Sequence, residues 1–234
     1  MRKVAALAVL GGTGACLLYA YYAFYQPDPA RFPIQGIDVS HHQGPIDWPK
    51  VAKSNVAFAY IKATEGGDFR DKRFGDNWKD AKAAGIVRGA YHFYTLCRAA
   101  SLQAANFSAV VPREAGALPP ALDLEFGGNC AARPAVEAVK SELGQFSDAI
   151  FAAYGVRPVL YVTRDFLKAY GDALPEHSGL WIRSIAWAPY RSEGPWVFWQ
   201  YHNRGSVTGI QGPVDRNVFH ADREAFAAHL TSGK

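Results

Sequence analysis

The chain has 234 residues, 49% hydrophobic and 20% charged, a composition that suits a folded domain with a sizeable core and excludes a disordered chain. A net charge of +4 without a run of Lys or Arg is too mild for a protein that binds nucleic acid by neutralising phosphates. Aromatic residues reach 14%, with six Trp and twelve Tyr, enough to fill a core and to line a site that stacks on flat apolar faces such as sugar rings.

Arg2 and Lys3 precede an uncharged stretch from Val4 to Tyr25. At about 1.5 Å per residue this run is long enough to cross a hydrocarbon core of about 30 Å. Its end is rich in Tyr19, Tyr21, Tyr22, Phe24 and Tyr25, which suit an interfacial aromatic belt. Residues 1–25 are therefore expected to form an uncleaved N-terminal membrane anchor, a cleaved signal sequence being the alternative. Basic residues on the short side leave the body outside the cytoplasm. Cys16 lies inside the run, so Cys97 and Cys130 are the cysteines of the exported body. An oxidising compartment suits their pairing, and two buried thiols are the alternative. Residues 26–33 (QPDPARFP) carry three prolines and read as a short stiff linker. The domain follows over residues 34–234 and is expected to be monomeric.

Short apolar runs alternate with amphipathic ones through the body, the signature of a parallel sheet with crossover helices. Strands are expected at Ile34–Val39, Val56–Ala63, Ile86–Tyr94, Ala121–Glu125 and Pro158–Val162. Helices are expected at Trp48–Lys53, Phe74–Ala84, Ala99–Val110, Arg133–Tyr154 and Asp165–Tyr170, with Gly85 and Gly155 as stop signals. Leu180–Ser184, Trp196–Tyr201 and Val214–Val218 then read as strands with no room for full helices between them. Five βα units followed by about three helix-poor strands predict an α/β fold, an irregular TIM-like β/α barrel.

Reactive residues of such a barrel sit at the C-terminal strand ends. Asp123 and Glu125 are two apart on one strand and so share a face, about 6.6–6.8 Å apart at Cα. Leu122, Leu124 and Phe126 should point the other way, towards helices. Two close carboxyls cannot both ionise freely, which yields a protonated acid beside an ionised partner. Glycoside hydrolysis needs that arrangement. Glu125, nearer the strand end, is the expected general acid, with Asp123 the nucleophile or electrostatic stabiliser. Asp38 and Asp215 can meet beside them, because the first and last strands of a closed barrel are neighbours. Lys62 and Arg183 suit either ion pairing with these acids or substrate contact. Adjacent His41 and His42 should point in opposite directions and so make a poor metal pair; no metal or cofactor is expected.

Six short segments in order resemble the glycoside hydrolase family 25 lysozymes, or Chalaropsis-type muramidases. They are Gly36-Ile37-Asp38-Val39-Ser40, Tyr60-Ile61-Lys62-Ala63-Thr64-Glu65-Gly66, Gly89-Ala90-Tyr91-His92-Phe93-Tyr94, Leu122-Asp123-Leu124-Glu125, Trp199-Gln200-Tyr201 and Val214-Asp215-Arg216-Asn217. The resemblance covers about Gly36 to Phe219. It implies hydrolysis of the β-1,4 bond between N-acetylmuramic acid and N-acetylglucosamine of peptidoglycan, with Glu125 as acid and Asp123, Asp38 and Asp215 lining the site. It implies sugar contacts at Tyr91, Tyr60 and Trp199, and Lys62, Glu65 and Trp181 stand at strand ends as further candidate substrate-binding residues. Trp181-Ile182-Arg183 departs from the Trp-Ile-Ala of many members, and a cation there lowers the acid's pKa or rearranges a subsite. Cys97 and Cys130 both follow adjacent strands, so a bridge would tie two active-site loops. A chitinase-like D-x-x-D-x-D-x-E motif is excluded, since Leu118 and Ala121 replace its first two acids. The remaining alternative is a non-catalytic, membrane-anchored peptidoglycan-binding scaffold.

Overall fold

The computed structural model describes residues 20–22 and 25–231. The apolar run expected to anchor the chain lies mostly outside the described residues. Among the described residues, no helix is long and apolar enough to cross a membrane. Ala20–Tyr22 are helical, and the Tyr21 hydroxyl donates to the carbonyl of Ala186 at 3.0 Å. Tyr25 packs against Trp199 and Tyr201. The proline-rich segment is not a free spacer, because Phe32 is buried against Trp196 and Trp199.

Nine strands form the sheet: β1 (Gln35–Val39), β2 (Phe58–Glu65), β3 (Phe69–Arg70), β4 (Val87–Phe93), β5 (Ala121–Leu124), β6 (Val159–Val162), β7 (Leu180–Arg183), β8 (Trp196–Gly205) and β9 (Val214–Phe219). Eight of them close a barrel in the order β1-β9-β8-β7-β6-β5-β4-β2, sealed by β1 pairing with β2; β3 is a short hairpin tail on β2. All neighbouring pairs from β1 through β2 to β8 are parallel, whereas β9 runs antiparallel to both β8 and β1. Five helices follow the first five barrel strands: α1 (Trp48–Ala52), α2 (Phe74–Ala83), α3 (Ala100–Val110), α4 (Val136–Tyr154) and α5 (Arg164–Tyr170). The expected βα succession is therefore present, and the last three strands lack full crossover helices. A sixth helix, α6 (Arg223–Ala228), was not expected; capped by Asp222, it sets Phe226 against Phe58 and Phe219.

Strand alternation divides the core into two layers. Outward residues such as Ile37, Ile61, Leu122, Leu124, Val162 and Ile182 pack under the helices. Inward residues Phe58, Tyr60, Tyr161, Trp181, Phe198 and Phe219 stack as an aromatic plug inside the barrel. Gly36 and Gly89 make room for that plug. A Cβ on Gly36 would lie 2.3 Å from the Phe58 ring, and one on Gly89 would lie 2.4 Å from Tyr60. The plug fills the lower barrel, so polar inward residues gather above it at the mouth.

Candidate active site

A groove of 630 Å³ opens over the plug at the C-terminal ends of the parallel strands. Asp38, Lys62, Tyr91, Asp123, Trp181, Arg183 and Gln200 reach it from the ends of β1, β2, β4, β5, β7 and β8, with Glu125 just beyond β5. Asp215 lies near the start of β9, and the antiparallel run of that strand brings its start to the mouth. Asp38 and Asp215 are direct register partners across β1 and β9.

Asp38 is held by amides. Its Oδ2 accepts from Gln200 Nε2 at 3.0 Å and from Asn217 Nδ2 at 2.7 Å. Both amides are oriented from behind: the Tyr161 hydroxyl donates to Gln200 Oε1 at 3.0 Å, and Trp181 Nε1 donates to Asn217 Oδ1 at 2.8 Å. Burial raises the Asp38 carboxyl, while the two amide hydrogen bonds oppose that rise. Asp215 hydrogen-bonds Asp38, and burial together with the Asp38 charge pushes its pKa up to about 9. The pair therefore shares one proton near neutrality, with Asp215 as the donor.

Asp123 and Glu125 form the second carboxyl pair. Asp123 Oδ1 is enclosed with no hydrogen-bond partner among the described residues. Enclosure by the barrel wall pushes the Asp123 carboxyl well above the usual carboxylate range, and Glu125 and Asp38 push it further. Glu125 is also raised by burial, but Arg183 opposes the rise, its Nη1 lying 3.8 Å from Glu125 Oε2. Both carboxyls are thus raised, and a cation stands beside Glu125 to oppose the rise there. That cation, Arg183, comes from β7, far away in sequence.

The loop carrying Glu125 is braced. Asn129 Nδ2 donates to the carbonyls of Glu125 at 3.0 Å and Tyr94 at 2.7 Å. Beside it a disulfide joins Cys97 to Cys130, with an S–S distance of 2.06 Å. The loops after β4 and β5 are therefore tied together.

Lys62 and Glu65 are three residues apart on β2, yet they pair at 2.7 Å, because a bulge between Lys62 and Thr64 resets the strand. Both line the groove, as do Tyr91 and Trp181. Two other expected sugar contacts do not reach it. Tyr60 is wholly buried one layer below, stacked on Trp181 at 4.8 Å, with its hydroxyl donating to the carbonyl of Pro119. Trp199 is wholly buried on the outer face of β8, against Phe32, with its Nε1 donating to the carbonyl of Ser184. In Trp199-Gln200-Tyr201 only the middle residue can face inward, since side chains alternate along a strand. The His41 and His42 rings do not diverge; they lie 4.1 Å apart at a tilt of 35°, and His41 Nδ1 lies 2.9 Å from Asp71. Among the described residues no group of three or more His, Cys, Asp or Glu is arranged to hold a metal.

Sequence reasoning placed Ser40, His42, Phe93 and Gln200 at strand ends without giving them a substrate role, and it missed Tyr161 and Asn203; all six line the groove. Tyr161 stands at the end of β6 and was reachable by the strand-end rule. Asn203 lies within the irregular register between His202 and Gly205 of β8 and carried no such signal.

The model of the glycosyl hydrolases family 25 matches residues 37–210. The chain belongs to this family. It is a glycoside hydrolase, and its barrel is the barrel of the family. A family 25 glycosyl hydrolase structure from Bacillus anthracis superposes with a TM-score of 0.80 at 36% identity, covering 87% of this chain and 96% of that one. Among curated proteins, Lysozyme M1 of Streptomyces globisporus is 35% identical, covering 80% of this chain and 67% of its own length. Escherichia coli (strain K12) YegX, an uncharacterized protein, is also 35% identical, covering 86% of this chain and 75% of its own.

Proposed function

We propose that this family 25 hydrolase is a lysozyme, cutting the β-1,4 bond between N-acetylmuramic acid and N-acetylglucosamine in peptidoglycan. The observation that carries the reading is the Asp123–Glu125 pair at the barrel mouth, with both carboxyls raised. The lysozyme and muramidase names of its relatives support the substrate. Glu125 acts as the general acid: it stands beyond the strand end and opens to the groove, within reach of a glycosidic oxygen. Asp123 acts as the nucleophile or as the electrostatic stabiliser of the oxocarbenium-like transition state. Positive charge growing at the anomeric carbon lowers the proton affinity of Asp123. That shift leaves the proton on Glu125 for delivery. Asp38 and Asp215 orient the substrate's polar groups, and Tyr91, kept neutral by burial and by the surrounding acids, donates from the wall.

We further propose that residues 1–25 hold the enzyme to a membrane, with the groove on the extracytoplasmic side. The Glu125→Gln variant tests the chemistry. Release of reducing ends from purified peptidoglycan should fall by about 10²–10⁴-fold. An aryl glycoside whose leaving group needs no protonation should restore turnover to Glu125→Gln but not to Asp123→Asn. Rescue of Asp123→Asn alone would move the acid role to Asp123. A wild-type protein that binds the wall without cutting it would leave the scaffold reading.

A further inference from the structure

A side pocket of 360 Å³ lies at the C-terminal ends of β5, β6 and β7 and shares Glu125, Gly127 and Arg183 with the main groove. Thr163 lines it, is only 8% exposed, and its Oγ1 is buried with no hydrogen-bond partner among the described residues. A buried hydroxyl without a partner is unfavourable unless a further group completes it. Arg183 enters the same pocket from the end of β7. Its contact with Glu125 at 3.8 Å exceeds hydrogen-bond length, and its side chain is 35% exposed. The neighbouring cations are engaged: Arg164 Nε and Nη2 hold Glu193 at 2.7 and 3.3 Å, and Lys62 holds Glu65. Among the described Lys and Arg residues that line the two pockets, Arg183 is the most loosely paired, its recorded ion pair being the 3.8 Å contact with Glu125. Asp165 is the other acid of the pocket wall.

We infer that this side pocket binds a carboxylate carried by the substrate sugar, with the Arg183 guanidinium as a two-pronged donor and the Thr163 hydroxyl as a further donor. The inference rests on the lysozyme reading. N-acetylmuramic acid differs from N-acetylglucosamine by a lactyl ether, which ends in a carboxylate or continues into a peptide that bears carboxylates. A ring held over Asp123 and Glu125 has the pocket beside it, reached past Gly127. A guanidinium matches a carboxylate in planar geometry, which an ammonium cannot. Elsewhere the groove is lined by Asp38, Glu65, Asp123 and Asp215, none of which attracts an anionic substituent, and Lys62 is held by Glu65, so such a group is accepted beside Arg183. Arg183 is in this view a specificity residue.

The test uses soluble wall oligosaccharides of one backbone in three forms: free lactyl carboxylates, amidated lactyl groups, and intact peptide stems. Wild type should prefer the free carboxylate over the amide by about ten- to a hundredfold in kcat/KM. Arg183→Ala should reduce that preference to within about threefold, Arg183→Lys should keep part of it, and Thr163→Val should lower it a few-fold. Because the ratio is taken within one variant, a change in Glu125 acidity cancels. A preference for the peptide-bearing form that Arg183→Ala abolishes identifies the stem as the carboxylate source. A wild type without preference, or an Arg183→Ala ratio equal to wild type, overturns the inference. A wild type that cleaves none of the three sinks the lysozyme reading instead. NMR titration with N-acetylmuramic acid against N-acetylglucosamine then decides: tighter binding of the acid, lost in Arg183→Ala, supports the pocket, and equal binding refutes it.

Discussion

Asp215→Asn replaces an ionisable group by an amide of the same shape beside Asp38. In the unfolded chain the carboxyl titrates near its ordinary 3.8, and in the fold near 9. Between those values the folded state holds a proton that the unfolded state lacks. Stability from this group is therefore complete below about pH 4, declines as pH rises, and is gone above about 9. The interval from 3.8 to pH 7, at about 1.4 kcal/mol per unit, amounts to about 4 kcal/mol of lost stability at neutrality. The amide removes this loss, and its N–H still donates to Asp38. Asp38 remains buried and takes over part of the proton demand, so a net gain of about 2 kcal/mol is expected at pH 7.5. For a chain of this size that raises Tm by about 4–8 °C. Calorimetric melts at pH 4 and pH 7.5 measure it, and the gain should nearly vanish at pH 4, while activity falls at both. An equal shift at the two pH values, or a lower Tm at pH 7.5, would mean that Asp215 is ionised and paired, and the shared-proton account would fail.

Opening the Cys97–Cys130 bridge, which closes a sequence separation of 33, should destabilise the fold by about 4 kcal/mol in the loop-entropy account. Thermal melts of the paired Cys97→Ser and Cys130→Ser variant check this, and kcat should drop with it because the Glu125 loop loses its tie. Trp199→Phe removes the indole donor to Ser184 on the outer face of β8. It should lower stability by about 1–2 kcal/mol in denaturant titration and leave KM for glycan within about twofold; a KM rise above fivefold would return Trp199 to the groove.

Much of the fold was legible because βα periodicity is a local property. Runs such as VAFAYIKA and IVRGAYHFY mark the strands, and glycines after helical stretches mark their ends. The Asp123–Glu125 pair was legible for the same reason, since a two-residue spacing on a strand fixes a common face. The short α6 and the two-residue β3 were not, because neither is long enough to display a period. Trp199 was misplaced by reading a motif as a unit, where the alternation along β8 turns only Gln200 inward.

What the sequence determined alone is which residues can share a strand face and which chemistry they hold. What the tertiary structure decided is depth and charge. Tyr60 and Asp38 both face inward and stand opposite each other in the β1–β2 register, yet one fills the plug and the other lines the groove. The acidity of the central carboxyls depends first on burial, then on Arg183 and Asp38, which reach them from distant strands. Electrostatic neighbours are set by distance in space, and only barrel closure, with β9 reversed between β8 and β1, brings these groups within reach of one another.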